Sequence, residues 1–268
     1  MNKDLDTIYS RLFLEKGVPC HISVLISGTE HIGSSWCALS LAHAFTLQKK
    51  KVLLVDGNGN FSNICSYMLL SNPLYLEDYV SGKKTLNQLI CAYKNKDFNI
   101  LTANSGNNYL ETLPQGRIHI FADDLRIIAK NYDHTFIDIG ANLTEKNLCL
   151  CQIADDITIL CSEQSSDLVK TLDLFQFLNK NPVRANYNLI INRVNSIEDG
   201  YKIYKEFCKA IEKSGLNKPN LLGMIRFDTR IRDTVKNKEL LLARYPASEA
   251  AIDVCNIAEK LNLENEYA

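Results

Sequence analysis

Short runs of aliphatic and β-branched residues alternate along this chain with longer stretches of helical period, and some of the short runs carry no polar residue. Val52-Leu53-Leu54-Val55 is the clearest. A strand with one face in water alternates apolar and polar side chains, whereas a strand apolar at every position is covered on both faces. Strands are expected at His21–Ser27, Lys51–Asp56, Phe98–Thr102, His134–Asp138, Asp156–Cys161, Asn188–Asn192 and Asn220–Ile225. Helical periods fall between them, near Ser35–Leu47, Thr85–Tyr93, Ile118–Asn131, Asn142–Gln152, Ser166–Leu178, Glu198–Lys213, Thr229–Val235 and Ala247–Leu261. The alternation predicts an α/β fold with a doubly wound, mostly parallel sheet and helices on both faces. Residues 1–19 precede the first strand as a separate arm, in which Leu5, Ile8, Leu12 and Tyr9 share one face of a short amphipathic helix. Residues 20–268 read as a single domain.

Composition narrows the classes. The chain has 268 residues, 46% hydrophobic and 23% charged, enough for one large core. A net charge of -1 gives no global basic field, so no nucleic acid is expected as a partner. The nine cysteines include no C-x-x-C pair and no zinc spacing, and Cys149 and Cys151 point apart on a helix. They read as buried thiols of a reducing cytosol. Met1-Asn2-Lys3-Asp4 does not open a signal peptide, and no apolar run nears the roughly 18 residues a membrane span needs. A cytoplasmic protein is expected.

Between the first strand and the first helix lies Gly28-Thr29-Glu30-His31-Ile32-Gly33-Ser34-Ser35. The phosphate-binding loop pattern is G-x-x-x-x-G-K-[ST] in that same place. Both glycines are present and Ser35 stands where a Mg²⁺-ligating hydroxyl belongs, but Ser34 replaces the lysine. Ligands of such sheets lie at the carboxyl ends of the strands. Two more strands end in aspartate there, at Val55-Asp56-Gly57-Asn58 and Phe136-Ile137-Asp138. Asp138 is placed to help hold Mg²⁺ as a Walker B carboxylate.

In this order the segments resemble the MinD/ParA group of deviant-Walker-A ATPases, and most of all its FlhG (FleN) branch, which regulates flagellar number and placement. The resemblance runs from about His21 to Leu261. The family's K-G-G-V-G-K-[ST] aligns with residues 29–35, its D-x-D with Asp56-Gly57-Asn58, and its adenine-side asparagine with Asn192 in Ile191-Asn192-Arg193-Val194. Asn195-Ser196-Ile197-Glu198-Asp199-Gly200 resembles the stretch that follows in FlhG proteins. Leu222-Gly223-Met224-Ile225-Arg226-Phe227-Asp228 resembles L-G-x-I-P-x-D, and Tyr245-Pro246-Ala247-Ser248-Glu249-Ala250-Ala251 resembles Y-P-x-S-x-A-A. The implied nucleotide contacts are Gly28, Gly33, Ser34, Ser35, Asn192 and Arg193, with Ser35 and Asp138 as Mg²⁺ ligands. Asp56, Asn58 and Asp138 are the vestiges of the catalytic set.

The departures fall on the chemistry. Thr29 replaces the signature lysine that in relatives crosses a dimer, Ser34 the Walker A lysine, Asn58 the second aspartate of D-x-D, and Arg226 a proline beside the adenine. Glu30 and His31 stand where glycines let backbone N–H groups approach phosphate. Losing the Walker lysine alone costs roughly 10- to 100-fold in affinity. Losing a charge stabiliser of the transition state costs ~10²–10³ in rate. The expectation is a pseudo-ATPase with weak or no binding of ATP or ADP with Mg²⁺.

The resemblance implies a regulator acting on an FlhF-like GTPase, a flagellar transcription activator or basal-body switch proteins. Asp6-Thr7-Ile8-Tyr9-Ser10-Arg11-Leu12 resembles the segment with which FlhG proteins engage that GTPase. The alternatives are a divergent active ATPase using Arg226 or Arg193 as its cation, or a MinD-like polar-localisation adaptor for a pilus or secretion machine. The acidic tail from Leu261 to Ala268 opposes membrane association. Thr29 and Glu30 imply a monomer, or a dimer independent of ATP. Lys202, Lys205 and Lys209 read as a solvated helix face. Arg226, Arg230, Arg232, Lys236 and Lys238 form a denser basic stretch, a candidate anion or partner contact.

Overall fold

The structure, a computed structural model, describes residues 20–58, 64–68, 70, 74–93, 98–104, 113–141, 143–146, 148–181 and 183–266. The arm at 1–19, Gly59, Asn60, Asn142 and the last residues of the tail lie outside them. The strands are β1 His21–Ser27, β2 Val52–Asp56, β3 Cys91–Tyr93, β4 Phe98–Leu101, β5 His134–Ala141, β6 Asp156–Ser162, β7 Asn186–Val194 and β8 Asn220–Arg226. They form one sheet in the order β3-β4-β2-β5-β1-β6-β7-β8. Neighbours are parallel except β3 with β4. The expected doubly wound sheet is therefore present, with an antiparallel edge.

The helices are α1 Ser34–Leu47, α2 Leu76–Val80, α3 Leu86–Leu89, α4 Gln115–Ala129, α5 Leu148–Gln152, α6 Ser165–Lys180, α7 Ile197–Lys213, α8 Thr229–Asn237, α9 Leu241–Arg244 and α10 Glu249–Glu266. Successive side chains of a strand point to opposite faces. Val24, Leu53 and Ile137 meet Phe121 and Leu125 of α4, Phe175 of α6 and Phe207 of α7 in one core. Leu25, Leu54 and Phe136 meet Leu41 and Phe45 of α1 and Val254 and Ile257 of α10 in the other. Two cores, one per face, are the reason the central strands carry no polar alternation. All nine cysteines are free thiols. Burial pushes those of Cys151 and Cys161 up to about 12. No described helix is long and apolar enough to cross a membrane.

The helix expected over Thr85–Tyr93 is a correction. A capping box between Thr85 and Gln88 starts it, but it ends at Leu89, and Ile90 turns extended into β3. The pairing of β3 with β4 outweighs the helical period of that run. The short helices α2 and α9 carry no period long enough to read. Strand β5 continues three residues beyond Asp138 through Gly140, whose φ of 75° suits glycine.

Candidate functional site

The carboxyl ends of β1, β2, β5 and β7 converge on the loop between β1 and α1. Gly28 opens that loop for a packing reason. A Cβ on it would lie 2.7 Å from the backbone carbon and oxygen of Lys170 in α6. Gly33 closes the loop at a φ of 104°, and its carbonyl accepts the amide of Cys37, beginning α1. His31 holds a left-handed φ of 63° between them and is exposed, as is Glu30.

Two residues of β7 brace the loop. The amide of Asn192 donates from Nδ2 to the Ile32 carbonyl at 2.7 Å. Arg193 donates from its guanidinium to the His31 carbonyl at 2.6 Å. Arg193 itself has a φ of 63°, and the β7–β8 register slips at this point. Asn192 also accepts the Arg193 amide on Oδ1. The asparagine expected beside an adenine thus spends its side chain on the loop and on its own chain.

Below the loop, Asp56 and Asp138 occupy paired register positions of β2 and β5, both fully buried. Asp56 accepts the amides of Asn58 and Ile64, at 3.2 and 3.1 Å. Asp138 accepts the Gly140 amide on Oδ1 at 3.0 Å, and its Oδ2 has no partner. Burial pushes Asp138 up to about 6, against the Ser35 hydroxyl and the Gly140 amide, which stabilise its charge. Burial, then the charge of Asp138, holds Asp56 well above the usual carboxylate range. The side chain of Asn58 lies over Gly140, where a Cβ would approach Nδ2 to 2.4 Å.

A cavity of about 240 Å³ opens here, lined by Ser27, Glu30, His31, Gly33, Ser34, Ser35, Asn58, Tyr67, Gly140 and Ala141. A second, of about 350 Å³, shares His31, Gly33 and Tyr67 and adds Trp36, Asn192, Arg193, Arg226, Phe227, Asp228, Thr229, Ile231, Arg232 and Val235. Of the residues expected at the site, Gly33, Ser34, Ser35 and Asn58 line the first cavity, and Asn192 and Arg193 the second. Gly28, Asp56 and Asp138 line neither and support the walls. Tyr67, Trp36 and Phe227 were not foreseen, since single aromatics carry no pattern.

The basic stretch is largely spoken for. Arg226 forms a two-pronged ion pair with Asp253 of α10, at 2.8 and 2.9 Å, and reaches Glu249 at 2.9 Å. Arg230 pairs with Asp228 at 2.8 Å. As an anion contact the stretch is reduced to Arg232, Lys236 and Lys238. Lys202, Lys205 and Lys209 are exposed on α7, as expected.

The walls can be tested against a Mg²⁺-nucleotide. The cation side fits: a buried carboxylate oxygen without a partner lies under the Ser35 hydroxyl's end of α1. The phosphate side does not. Among the described residues, the only ionisable side chains on the first cavity besides Tyr67 are Glu30 and His31, and no lysine lines either cavity. A triphosphate there would meet the Glu30 carboxylate, and Ser34 stands where phosphate-binding loops place an ammonium.

The sheet order and the loop between β1 and α1 give the P-loop NTPase fold in the form seen in MinD and ParA proteins. MinD of Pyrococcus horikoshii, solved with Mg-ADP, superposes with a TM-score of 0.75 at 19% identity, covering 92% of this chain and 98% of that one. MinD of Aquifex aeolicus, solved in a MinC:MinD complex, gives 0.73 at 18%, covering 90% and 96%. By sequence, the chain aligns along most of its length with a FleN protein. It is similar to the antiactivator FleN of Pseudomonas aeruginosa, 19% identical over 248 residues, 91% of this chain and 87% of that protein. No family model matches the chain.

Proposed function

We propose that this protein is a FleN-like regulator of flagellar number or placement that works through protein partners in the cytoplasm and has given up ATP turnover. The charge of the first cavity carries this reading. Among the described residues Glu30 sits on its wall and no lysine does, and the Arg193 guanidinium, on the adjoining cavity, is engaged with the His31 carbonyl. Partner binding is supported by what the relatives are called: one is an antiactivator, another is bound to MinC. A flagellar transcription activator, an FlhF-like GTPase and basal-body switch proteins are the partners to test, with recruitment to a cell pole following from them.

Calorimetric titration with Mg²⁺-ATP and Mg²⁺-ADP tests the reading. Silence up to millimolar nucleotide supports it. Binding that Asp138→Ala removes sinks it in favour of a nucleotide-controlled switch. Removal of residues 1–19 is expected to abolish capture of the FlhF-like GTPase, and unchanged capture rules that role out. One observation favours a divergent ATPase instead: Ser35 and Asp138, the cation-side pair, are both kept. That reading requires turnover at high enzyme concentration that disappears in Asp138→Ala.

A further inference from the structure

The second cavity, of about 350 Å³, has walls unlike those of the first. Trp36 of α1, Tyr67, Phe227 after β8, and Ile231 and Val235 of α8 give it an apolar side. Ile231 and Val235 stand one helical turn apart, so they share a face of α8. Phe227 is 57% exposed, although the Val194 carbonyl fixes its amide at 2.9 Å. A ring held on a fixed backbone and left in water beside further apolar wall marks a contact surface. Three guanidiniums and one carboxylate complete the lining, those of Arg193, Arg226, Arg232 and Asp228. Asp253 neutralises Arg226 and Arg230 neutralises Asp228, each at 2.8 Å. The Arg193 guanidinium donates to a carbonyl, which carries no net charge. Among the described residues no carboxylate pairs with Arg193 or with Arg232. Two positive charges therefore stand uncompensated beside an apolar wall.

We propose that this cavity docks an acidic segment of a partner protein, with an apolar side chain of that segment against Trp36, Phe227 and α8 and its carboxylates on Arg193 and Arg232. The inference rests on the reading of this protein as a regulator that works through partners, and it names the surface and the partner's chemistry. Aromatic rings and arginines are the side chains in which protein interfaces are enriched. Opposite charges across such a surface select the partner and fix its register. Lys236 follows Arg232 by one turn, is exposed, and continues the positive side along α8. The polar groups that would read the edge of a nucleobase are engaged elsewhere, Asn192 with the loop and Asp228 with Arg230.

Trp36 is the chain's single tryptophan, so its emission reports on this cavity. Fluorescence titration of the full chain at low ionic strength uses the peptide Glu-Glu-Phe-Leu-Glu-Glu, capped at both ends. The controls are Lys-Lys-Phe-Leu-Lys-Lys, which reverses the charge, and Glu-Glu-Gly-Ser-Glu-Glu, which removes the apolar anchor. The first peptide is expected to change the emission saturably by millimolar concentration, and the controls are not. Arg232→Ala is expected to weaken binding about tenfold, as loss of a hydrogen bond to a charged group does. Phe227→Ala is expected to weaken it by a similar factor, as loss of an interface anchor does. Both side chains are exposed, so both variants keep the fold. No response to the acidic peptide, an equal response to the lysine peptide, indifference to both variants, or displacement by AMP overturns the proposal. If the peptide is silent and Mg²⁺-ATP is silent in calorimetry, this docking site fails and the regulator reading stands. Mg²⁺-ATP binding that Asp138→Ala removes defeats the regulator reading, whatever the peptide does.

Discussion

Asp138 keeps its carboxyl out of water with one oxygen unpartnered, and that has a measurable consequence. Its folded pKa of about 6 lies above the ordinary 3.8, so the fold binds its proton more tightly than the unfolded chain does. The stabilisation from that proton is fully present below pH ~4 and is lost as pH rises through 6, an effect of about 3 kcal/mol. Asp138→Asn is therefore expected to be more stable than the parent at pH 8, by roughly that amount, and to lose the advantage at pH 4. Urea unfolding across that range checks it, and parallel pH curves would show that the carboxyl is solvated. His134 acts in the opposite direction. Burial, then the charges of His21 and Lys50, hold it well below its usual value. Its penalty therefore grows as pH falls below ~6.5, where the unfolded chain takes up the proton first. Gly28 is a third case. Its Cβ would collide with the backbone of Lys170, which has no flexible end to move. Gly28→Ala is expected to cost about 1–3 kcal/mol in denaturant unfolding, as overpacking does, whether or not any nucleotide binds.

Between elements, the ion pair of Arg226 clips β8 to α10. Asp253 is 5% exposed and accepts from the Arg226 amide as well as its guanidinium. Arg226→Ala leaves that carboxylate without its cation and is expected to cost about 2 kcal/mol, the worth of hydrogen bonds to a charged group. A loss near zero in chemical unfolding would mean that water replaces the guanidinium. The sequence shows Arg226 only as one basic residue among five, because its partners lie 23 and 27 residues away on another element. The same limit explains β3. Ile90-Cys91-Ala92-Tyr93 fits a helix locally, and only pairing with β4 makes it a strand. The central strands were legible because burial on both faces writes itself into every position. The loop's frame was legible in Gly33 and Ser35, but its brace was not. Asn192 and Arg193 reach the loop from 160 and 162 residues downstream through a left-handed residue that no local pattern marks.

For the whole molecule, the loop also bears on assembly. In the family that the chain resembles, two copies close on ATP and the signature lysine crosses to the partner's nucleotide. Thr29 holds that position here with its hydroxyl buried, and its short side chain cannot reach another subunit. Beside it Glu30 is exposed and carries the same sign as a nucleotide's phosphates. Like charges face to face oppose closure instead of driving it. With a net charge of -1 the rest of the chain adds almost no long-range repulsion, so the loop decides the response to nucleotide. Sedimentation velocity is expected to give the same coefficient with and without millimolar Mg²⁺-ATP, whatever that coefficient is. The double variant Thr29→Lys, Ser34→Lys restores both ammonium groups and removes neither brace from β7. If the missing cations are what silences the loop, nucleotide binding should appear in that variant while Gly33 and Asn192 keep the frame. If it stays silent, Glu30 is the stronger block, and Glu30→Gly added to the pair is expected to release it. Faster sedimentation of the parent protein on adding Mg²⁺-ATP would refute the argument at its first step.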